Sequence, residues 1–392
     1  GIETCPINWP IGSGKEFKGV FDRETGKVIS FSDTEKGTKE GDTTEYELGS
    51  KELLEYIGDE KRIVIPEGVE FVSSYAFVNN KSIEEVIMPS TLKRIGDEAF
   101  SECSNLKVVQ FNEGLKEIGD FAFSECESLK KLIFPESINF IGKNCFEYCI
   151  NLETVVFKNN SNEEEENLSL GDYVFSNCES LNKVKIEKNV EDIGNSVFMS
   201  CSSIRNIQFP KGIYKVPADT FRGCSRLDSV ELPDDITSIG DWAFWGCKSL
   251  HRINFPRLKH QEYNEECECV NLPLELEIIG HHAFGNSGVE VVVIPEKTFL
   301  IYNDTFDGCG CLQKVLRRSG DKLKQGWIYN FAYREELEKY LNKIGLDKHD
   351  AFEISEFIRK GKAHSERCKD KWNKIKNILE KKEATPHFIK YC

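Results

Sequence analysis

The sequence lacks an apolar run long enough to cross a membrane as a helix. Its first ten residues, GIETCPINWP, also lack the basic start and apolar stretch of a secretory leader. No nucleophile elbow and no His-Glu-x-x-His metal motif is present. These absences predict a protein without a membrane span and without enzymatic activity. The composition, 39% hydrophobic and 30% charged, excludes global disorder.

Positive charge is scarce along most of the chain. The net charge is −15, yet residues 317–392 hold 19 Lys and Arg against 12 Asp and Glu, a balance of +7. The remaining residues, 1–316, therefore carry a balance of −22. Such an acidic body repels nucleic acid and anionic membranes, so neither is expected as a partner. The basic segment 317–392 is compatible with either nucleic acid or an anionic membrane as a partner.

A regular repeat dominates the middle of the chain. It is marked by ten phenylalanines, mostly 23 residues apart: Phe77, Phe100, Phe123, Phe146, Phe175, Phe198, Phe221, Phe244, Phe284 and Phe306. Two longer intervals, of 29 and 40 residues, contain insertions near 159–166 and 257–271. An aliphatic residue precedes each phenylalanine by five positions, and in eight repeats a cysteine follows it by three.

Each repeat also contains a pair of apolar residues with a period of two, such as Val109 with Phe111. This pattern predicts a short strand with two inward side chains, often ended by proline, which cannot donate the next ladder hydrogen bond. The Ile-Gly step, as at Ile95 and Gly96, is interpreted as the tight bend that starts the return of the chain. Because one unit cannot bury its apolar face alone, neighbouring repeats must stack.

The stretch IGDEAFSECSNLKVVQF resembles the BspA-like, or Treponema-type, class of leucine-rich repeats. The resemblance covers residues 63–316. It implies a repeat solenoid of about ten units with short parallel strands on a concave face. Members of this family are commonly surface-exposed binding or adhesion proteins, so the resemblance implies binding without naming a partner.

Residues 1–62 are not a repeat. Their opening, CPINWPIGSGKEFKGVFDRETGKVISF, resembles part of the peptide chain release factor 3 family. The stretch 12–15, Gly-Ser-Gly-Lys, is followed by Glu16 instead of Ser or Thr, and Trp9 stands where a phosphate loop needs its first glycine. We therefore expect no GTPase activity, and we interpret residues 1–62 as a cap on the first repeat.

Residues 317–392 form a basic segment with helical periodicity. Its part REELEKYLNKIGLDKHDAFEISEFIRKGKA resembles the C-terminal region of the Gram-positive-type DNA polymerase III alpha subunit, without that enzyme's catalytic carboxylates. The apolar positions predict two or three amphipathic helices. Their three stripes are Leu337, Tyr340 and Leu341; Phe352, Phe357 and Ile358; and Trp372, Ile375 and Leu379. We interpret the segment as a second cap.

The fifteen cysteines invite a metal or disulfide interpretation, but eight of them occupy one repeat offset, which favours buried thiols that fill the core. Two Cys-x-Cys pairs offer a weaker zinc pattern than Cys-x-x-Cys, with nearby histidines as further ligands; they are Cys267 with Cys269, Cys309 with Cys311, and His260, His281 and His282. We expect no metal and no cofactor. The acidic run 163–166 is interpreted as a solvated loop, and His281 and His282 as exposed turn residues.

The candidate binding residues project outward from the predicted strands, eight and ten positions after the repeat phenylalanine. They are Ile87, Val108, Gln110, Lys131, Ile133, Thr154, Val156, Lys183 and Lys185. Apolar members of this set predict a patch larger than chance exposure provides. Trp245 stands one position after a repeat phenylalanine, where serine is the most frequent residue in the other repeats. It is either an anchor for a partner or packed on the neighbouring repeat or insertion.

The sequence thus predicts a non-enzymatic module that binds a protein or peptide on its concave strand face, with no small-molecule substrate. The alternatives are a BspA-like surface adhesin and a mosaic relic that associates with translation or replication machinery through its flanks. The free-thiol pattern and the absent leader favour the cytoplasm over the cell surface or secretion.

Overall fold

The computed structural model describes residues 51–158, 167–254, 270–302, 304–318, 338, 341–358 and 369–382 with their side chains. It describes the backbone alone for the strands between residues 8 and 48 and for residues 319, 322–325 and 359. The chain forms two compact units, Gly1–Gly212 and Ile213–Cys392. No helix in the described part is both long and apolar enough to span a bilayer.

Unit 1 starts with antiparallel strands and continues with parallel ones. The first four strands are Asn8–Ile11 (β1), Gly19–Asp22 (β2), Lys27–Thr34 (β3) and Gly37–Leu48 (β4). The following strands are Glu52–Tyr56 (β5), Arg62–Val64 (β6), Phe71–Val72 (β7), Glu85–Ile87 (β8), Arg94–Ile95 (β9), Val108–Gln110 (β10), Glu117–Ile118 (β11), Lys131–Phe134 (β12), Phe140–Ile141 (β13), Thr154–Phe157 (β14), Leu168–Leu170 (β15), Lys183–Ile186 (β16), Val190–Ile193 (β17) and Asn206–Gln208 (β18).

Each coil of unit 1 contributes two strands. The front strands, which follow the repeat phenylalanine, are β6, β8, β10, β12, β14, β16 and β18. The back strands, which end just before the glycine of the Ile-Gly step, are β5, β7, β9, β11, β13, β15 and β17. The back strands pair in parallel in that order, and β4 pairs antiparallel with β5. The parallel stacking of 23-residue units, predicted from the phenylalanine spacing, is confirmed.

The second strand of each coil was not predicted from the sequence. The isoleucine of the Ile-Gly step ends a back strand. The role of the glycine differs from the predicted one, which was to permit a bend. A Cβ atom on Gly119 would lie 2.7 Å from the backbone nitrogen of Asp97, one coil earlier. Only a residue without a side chain allows adjacent coils to approach this closely.

The turn around each repeat phenylalanine forms a third hydrogen-bonded ladder. The amides of Glu98, Phe100 and Glu102 donate to the carbonyl oxygens of Asp120, Ala122 and Ser124 in the next coil, at 2.7–2.8 Å. Glu98 and Glu102, two positions before and after the phenylalanine, have φ of 53° and 59°. Residues at these two offsets adopt the left-handed backbone in most coils.

The core between these ladders is built from stacked layers. The rings of Phe100 and Phe123 are 5.0 Å apart and only 4° from parallel. The thiol of Cys126 donates to the carbonyl oxygen of Phe100, at 3.1 Å. Seven of the eight cysteines at the repeat offset are buried, and Cys309 is partly buried. They therefore fill the core, as expected, and also satisfy a backbone acceptor.

Unit 2 repeats this architecture. Its strands are Lys215–Val216 (β19), Ser229–Glu231 (β20), Ser238–Ile239 (β21), Arg252–Ile253 (β22), Val270–Asn271 (β23), Ile278–Ile279 (β24), Val291–Ile294 (β25), Leu300–Ile301 (β26), Lys314–Ser319 (β27) and Lys322–Gln325 (β28). Front strands β20, β22, β23, β25 and β27 pair in parallel, and β28 then pairs antiparallel with β27. The 40-residue interval thus adds the extra front strand β23.

Two helices, Lys348–Arg359 (α1) and Lys369–Lys381 (α2), cover the last back strands of unit 2. Their buried residues Phe357, Ile375 and Leu379 form one cluster with Ile278 of β24 and Leu300 of β26. Of the predicted helical stripes, Leu341 and Ile358 also belong to this cluster, Trp372 packs against it, and Phe352 is half-buried. Leu337 and Tyr340 lie outside the described residues.

Candidate functional site

The outward side chains of the first three front strands form two rows. The parallel register aligns Arg62, Glu85 and Val108 in one row. It aligns Val64, Ile87 and Gln110 in the other. Strand residues between them point inward, as Val86 and Val109 do. Val64 and Val108 are 42% and 43% exposed, so apolar surface reaches solvent here.

A second group of front strands, β12, β14 and β16, continues the pattern. Lys131 aligns with Thr154 and Lys183, and Ile133 aligns with Val156 and Lys185. Ile133 is 41% exposed, Thr154 and Val156 are half-buried, and the three lysines are exposed. Arg62 and Glu85 form an ion pair with each other. We call the other outward residues of both groups the front surface. They are Val64, Ile87, Val108, Gln110, Lys131, Ile133, Thr154, Val156, Lys183 and Lys185.

The register divides the predicted apolar patch into pairs. Ile133 and Val156 are direct cross-strand neighbours, whereas the neighbours of Ile87 are Val64 and Gln110. Sequence reasoning missed Val64, because it precedes the first repeat phenylalanine. Its signal was the alternation in the stretch Arg62 to Val64, which has the same form as the later front strands.

Ion pairs flank the front surface along one edge. Glu84 lies 2.6 Å from the Nζ of Lys107 and 2.8 Å from the Nζ of Lys61, so it joins the coils on both sides. Hydrogen bonds from Lys107 and Lys61 hold the pKa of Glu84 at about 2. Beside the back strands, Glu70 joins Lys51 and Lys93 in the same way, and these lysines lower its pKa to about 2. These carboxylates remain charged across the physiological range.

Trp245 is half-buried in unit 2. The guanidinium carbon of Arg222 lies 5.2 Å from the Trp245 ring and 5.1 Å from that of Trp242. On the other side, the Cδ1 atom of Trp245 lies 2.8 Å from the position that a Cβ atom on Gly285 would occupy. Trp245 thus packs on both neighbouring coils and keeps part of its ring in contact with solvent. Its role as an anchor stays a prediction.

His281 and His282 contact one carboxylate instead of extending into solvent. The Oδ2 atom of Asp304 lies 2.9 Å from Nδ1 of His281 and 3.4 Å from Nε2 of His282. The Tyr302 ring stacks on His281 with the centroids 3.6 Å apart. Asp304 and Tyr302 belong to the next repeat. Because they contact His281 and His282, these histidines are only partly exposed.

The structure shows no metal site in the described part of the chain. No group of three or more His, Cys, Asp or Glu side chains there is arranged to hold a metal ion. Cys311 is an exposed free thiol. Cys267, Cys269 and His260, and the acidic run 163–166, lie outside the described residues.

Comparison with known proteins identifies the repeats. A family model described as BspA type leucine rich repeat region matches residues 54–168, 168–267 and 259–340. Among solved structures, a leucine-rich repeat protein from Bacteroides ovatus is 21% identical, with a TM-score of 0.43, covering 73% of this chain and 92% of that one. The Treponema pallidum leucine-rich repeat protein is 24% identical, with a TM-score of 0.38, covering 57% and 87%.

The predicted resemblance to peptide chain release factor 3 is confirmed as a short similarity. A stretch of 73 residues is 37% identical to that protein from Microcystis aeruginosa, covering 19% of this chain and 13% of the relative. A stretch of 58 residues is 47% identical to the protein from Trichormus variabilis, covering 14% and 11%. The chain therefore matches only a small part of these relatives. The resemblance to the polymerase alpha subunit stays a prediction.

Proposed function

This chain belongs to the BspA-type leucine-rich repeat family, and we propose that it is a non-enzymatic module that binds a protein or peptide on its front surface. Members of this family are generally interaction modules rather than enzymes. The partner's chemistry must match an apolar centre with lysines beside it. No small-molecule substrate and no cofactor is part of the proposal.

One observation carries the proposal: Ile133 and Val156 are neighbours in register on an outward strand surface. Adjacent apolar side chains exposed together on one surface are typical of interaction sites. Here they face solvent, with Ile133 41% exposed. Lys131 lies on the same strand as Ile133, and Lys183 and Lys185 lie on β16, the strand next to Val156. Charged residues beside an apolar centre are typical of binding surfaces.

The test uses a photo-cross-linking amino acid in place of Val156, in the full chain, added to extract from the native source. The cross-linked partner is identified by mass spectrometry and then purified. Its affinity is measured for the double variant Ile133→Asp with Val156→Asp. We expect at least a tenfold loss, because two carboxylates are placed in an apolar contact that must exclude water.

The matched control is Phe140, an apolar residue of back strand β13 with 42% exposure. The cross-linker at position 140 should capture a different set of proteins, and Phe140→Asp should leave the affinity of the purified partner unchanged. Equal capture at positions 140 and 156, or unchanged affinity of the double aspartate variant, would contradict the proposal.

A cytoplasmic location is part of the same proposal. It is supported by the ten described cysteines, which are all free thiols. Alkylation of unfolded protein from its native source, followed by mass spectrometry, counts the free thiols. Fifteen free cysteines support a reducing compartment. Paired cysteines contradict it and favour the surface-adhesin alternative.

A second candidate function rests on the similarity to release factor 3. We propose as this alternative that residues 1–50 associate with the translation machinery. Deletion of these residues keeps β5 and the coils but removes β4, so the shortened chain is first checked for self-association by gel filtration. The test is co-sedimentation with ribosomes in moderate salt. Binding that the deletion abolishes supports this function, and absence of binding by the full chain ends it.

A further inference from the structure

A row of side chains two positions before the repeat phenylalanine runs along the turns of unit 1. Its members are Tyr75, Glu98, Phe121, Asn144, Tyr173 and Ser196. All six have a left-handed backbone, with φ between 53° and 64°. Aromatic residues therefore alternate with polar ones, and one aromatic side chain stands on every second coil.

The aromatic side chains of this row are partly exposed to solvent. Tyr75 is 55% exposed, Phe121 40% and Tyr173 38%. Tyr148, two positions after Phe146 on the coil between Phe121 and Tyr173, is 48% exposed. Short polar residues such as asparagine tolerate the left-handed backbone best, as Asn144 does in the same row. Folding therefore gives no local reason for large aromatic residues at these positions.

The surroundings of the aromatic rings are acidic. The turn segments 73–80, 96–103, 119–126, 142–149, 171–178 and 194–201 contain seven carboxylates and one lysine. Glu98 stands in the row between Tyr75 and Phe121, and Glu125 follows Phe121 on the same coil. Glu98 also accepts a hydrogen bond from the Tyr75 hydroxyl, which raises the pKa of Tyr75. Aromatic faces beside carboxylates attract cations.

We propose that this turn surface, comprising Tyr75, Glu98, Phe121, Glu125, Tyr148 and Tyr173, binds an extended peptide segment that carries Lys or Arg at every third residue. Each cation lies over one aromatic ring of the row, and Glu98, between Tyr75 and Phe121, and Glu125, beside Phe121, supply the opposite charge. The segment runs along the stacking direction of the coils. This surface shares no residue with the front surface, so it is a second binding site.

The spacing of the row selects the peptide pattern. Adjacent parallel strands lie about 4.8 Å apart, so rings on every second coil are about 10 Å apart. Core rings on successive coils confirm this scale, with 4.5 Å between Phe77 and Phe100 and 5.0 Å between Phe100 and Phe123. Three residues of an extended chain also span about 10 Å. A lysine at every third position therefore matches the row.

The test is fluorescence anisotropy of the full chain with labelled ten-residue peptides at about 50 mM and about 150 mM salt, chosen because exposed charges are screened within a Debye length. The probe has lysine at positions 1, 4 and 7, one for each of Tyr75, Phe121 and Tyr173, with glycine and serine at the other positions. One comparison peptide has the same composition with its three lysines contiguous. A second has glutamate in place of lysine. The spaced lysine peptide should bind most tightly, and the glutamate peptide should not bind.

The decisive variant is Phe121→Asn with Tyr173→Asn, which keeps a residue type that already occupies this row at Asn144. It should weaken binding of the spaced peptide by about fivefold to twentyfold, since each exposed cation–aromatic contact contributes about twofold to fivefold. The matched control, Phe140→Asn, removes an equally exposed ring from a back strand and should change the affinity less than twofold. Glu98→Gln with Glu125→Gln should weaken binding and reduce its salt dependence.

Several results would overturn the proposal. They are equal affinity for the contiguous peptide, an effect of Phe140→Asn as large as that of the row variant, or no binding of the spaced peptide at either salt concentration. Binding of a neutral oligosaccharide such as cellohexaose, lost in the row variant while the lysine peptide does not bind, would replace the cationic peptide by a sugar. Loss of partner binding at the front surface leaves this test unaffected, because the two surfaces use different residues.

Discussion

The Sγ atom of Cys126 lies 3.1 Å from the carbonyl oxygen of Phe100, one coil earlier. That oxygen also accepts the amide of Cys103 within its own coil, at 3.2 Å. The same two-donor arrangement recurs at Phe123, whose carbonyl accepts the thiol of Cys149 and the amide of Cys126. Cysteine is therefore both a small core residue and a hydrogen-bond donor that links coils. Alanine could fill a similar volume but could not donate.

Thiol reactivity in the folded protein should separate the cysteines sharply. Burial raises the pKa of Cys103 to about 12 and that of Cys126 well above its ordinary value. Because only the thiolate reacts, brief iodoacetamide treatment at pH 8 should modify exposed Cys311 and leave Cys103 and Cys126 unmodified. Peptide mass spectrometry measures the modified fractions. Rapid modification of Cys126 in folded protein would contradict the buried layer.

Gly119→Ala should destabilise unit 1. The new methyl group would meet the backbone nitrogen of Asp97 at 2.7 Å, so two coils must separate. Overpacking of this kind costs about 1–3 kcal/mol. Chemical denaturation measures the change in the free energy of unfolding.

Gly114→Ala is the matched control for this prediction. The nearest atom to its new methyl group is the side-chain amide nitrogen of Asn112, at 3.1 Å, which can move. We expect a change within about 0.5 kcal/mol. Equal losses for the two alanine variants would show that Gly119 is not required for coil contact.

Phe123→Ala should remove one layer of the aromatic stack. Phe123 is fully buried between Phe100 and Phe146, with ring centroids at 5.0 and 5.3 Å. We expect a loss of about 3–5 kcal/mol. Because each coil contacts only its neighbours, hydrogen exchange should accelerate most in the coils of Phe100 and Phe146. Uniform acceleration throughout unit 1, or a loss no larger than that of exposed Phe140→Ala, would contradict this.

Acid should weaken the ion pairs that join neighbouring coils at Glu84. Its pKa is about 2 in the folded protein, below the ordinary value of 4.5. The stabilising contribution is therefore complete above about pH 4.5 and is lost as the pH falls towards 2. The difference in unfolding temperature between the wild-type protein and Glu84→Gln should shrink over that interval. The effect should be small, because Lys61 and Lys107 are exposed.

Carbon-13 NMR of the glutamate carboxyl groups provides an independent measurement of the same pKa. The Glu84 signal should titrate near pH 2. A midpoint near 4.5 would show that the two lysines do not hold the carboxylate in solution.

The front strands and the core layers could be predicted because their signal repeats. Val109 and Phe111 mark a front strand by period two, and the cysteine offset marks a buried position in seven coils. The helices were also visible, since Ile375 and Leu379 have the spacing of one helical face. A single such pattern is weak, but a pattern repeated at 23 residues is not random.

The back strands and the turn geometry could not be predicted in the same way. A two-residue strand such as Glu117–Ile118 has only one inward side chain, so it is too short to show a periodic pattern in the sequence. The left-handed positions hold residues as different as Tyr75, Glu98 and Phe121, so residue type does not reveal the backbone. Their common cause is the ladder between coils, which depends on residues 23 positions away.

The sequence predicted which residues of the candidate surface point outward, but it did not predict which of them are neighbours. The sequence identified Ile87 and Ile133 as outward residues. It could not show that Ile87 pairs with Val64 and Gln110 while Ile133 pairs with Val156, because register depends on which coils hydrogen-bond. Likewise, the contact of Trp245 with Gly285 and Arg222 depends on how adjacent turns stack.

One parallel ladder in each unit ends on an antiparallel strand: the back strands of unit 1 end on β4 beside β5, and the front strands of unit 2 end on β28 beside β27. A bare parallel edge would present its hydrogen-bonding groups to the matching edge of another molecule, and identical coils could then add without limit into a fibre. An antiparallel final strand has a different hydrogen-bond pattern and does not match a further coil. These two strands therefore limit self-association, and a chain shortened to its coils alone should polymerise.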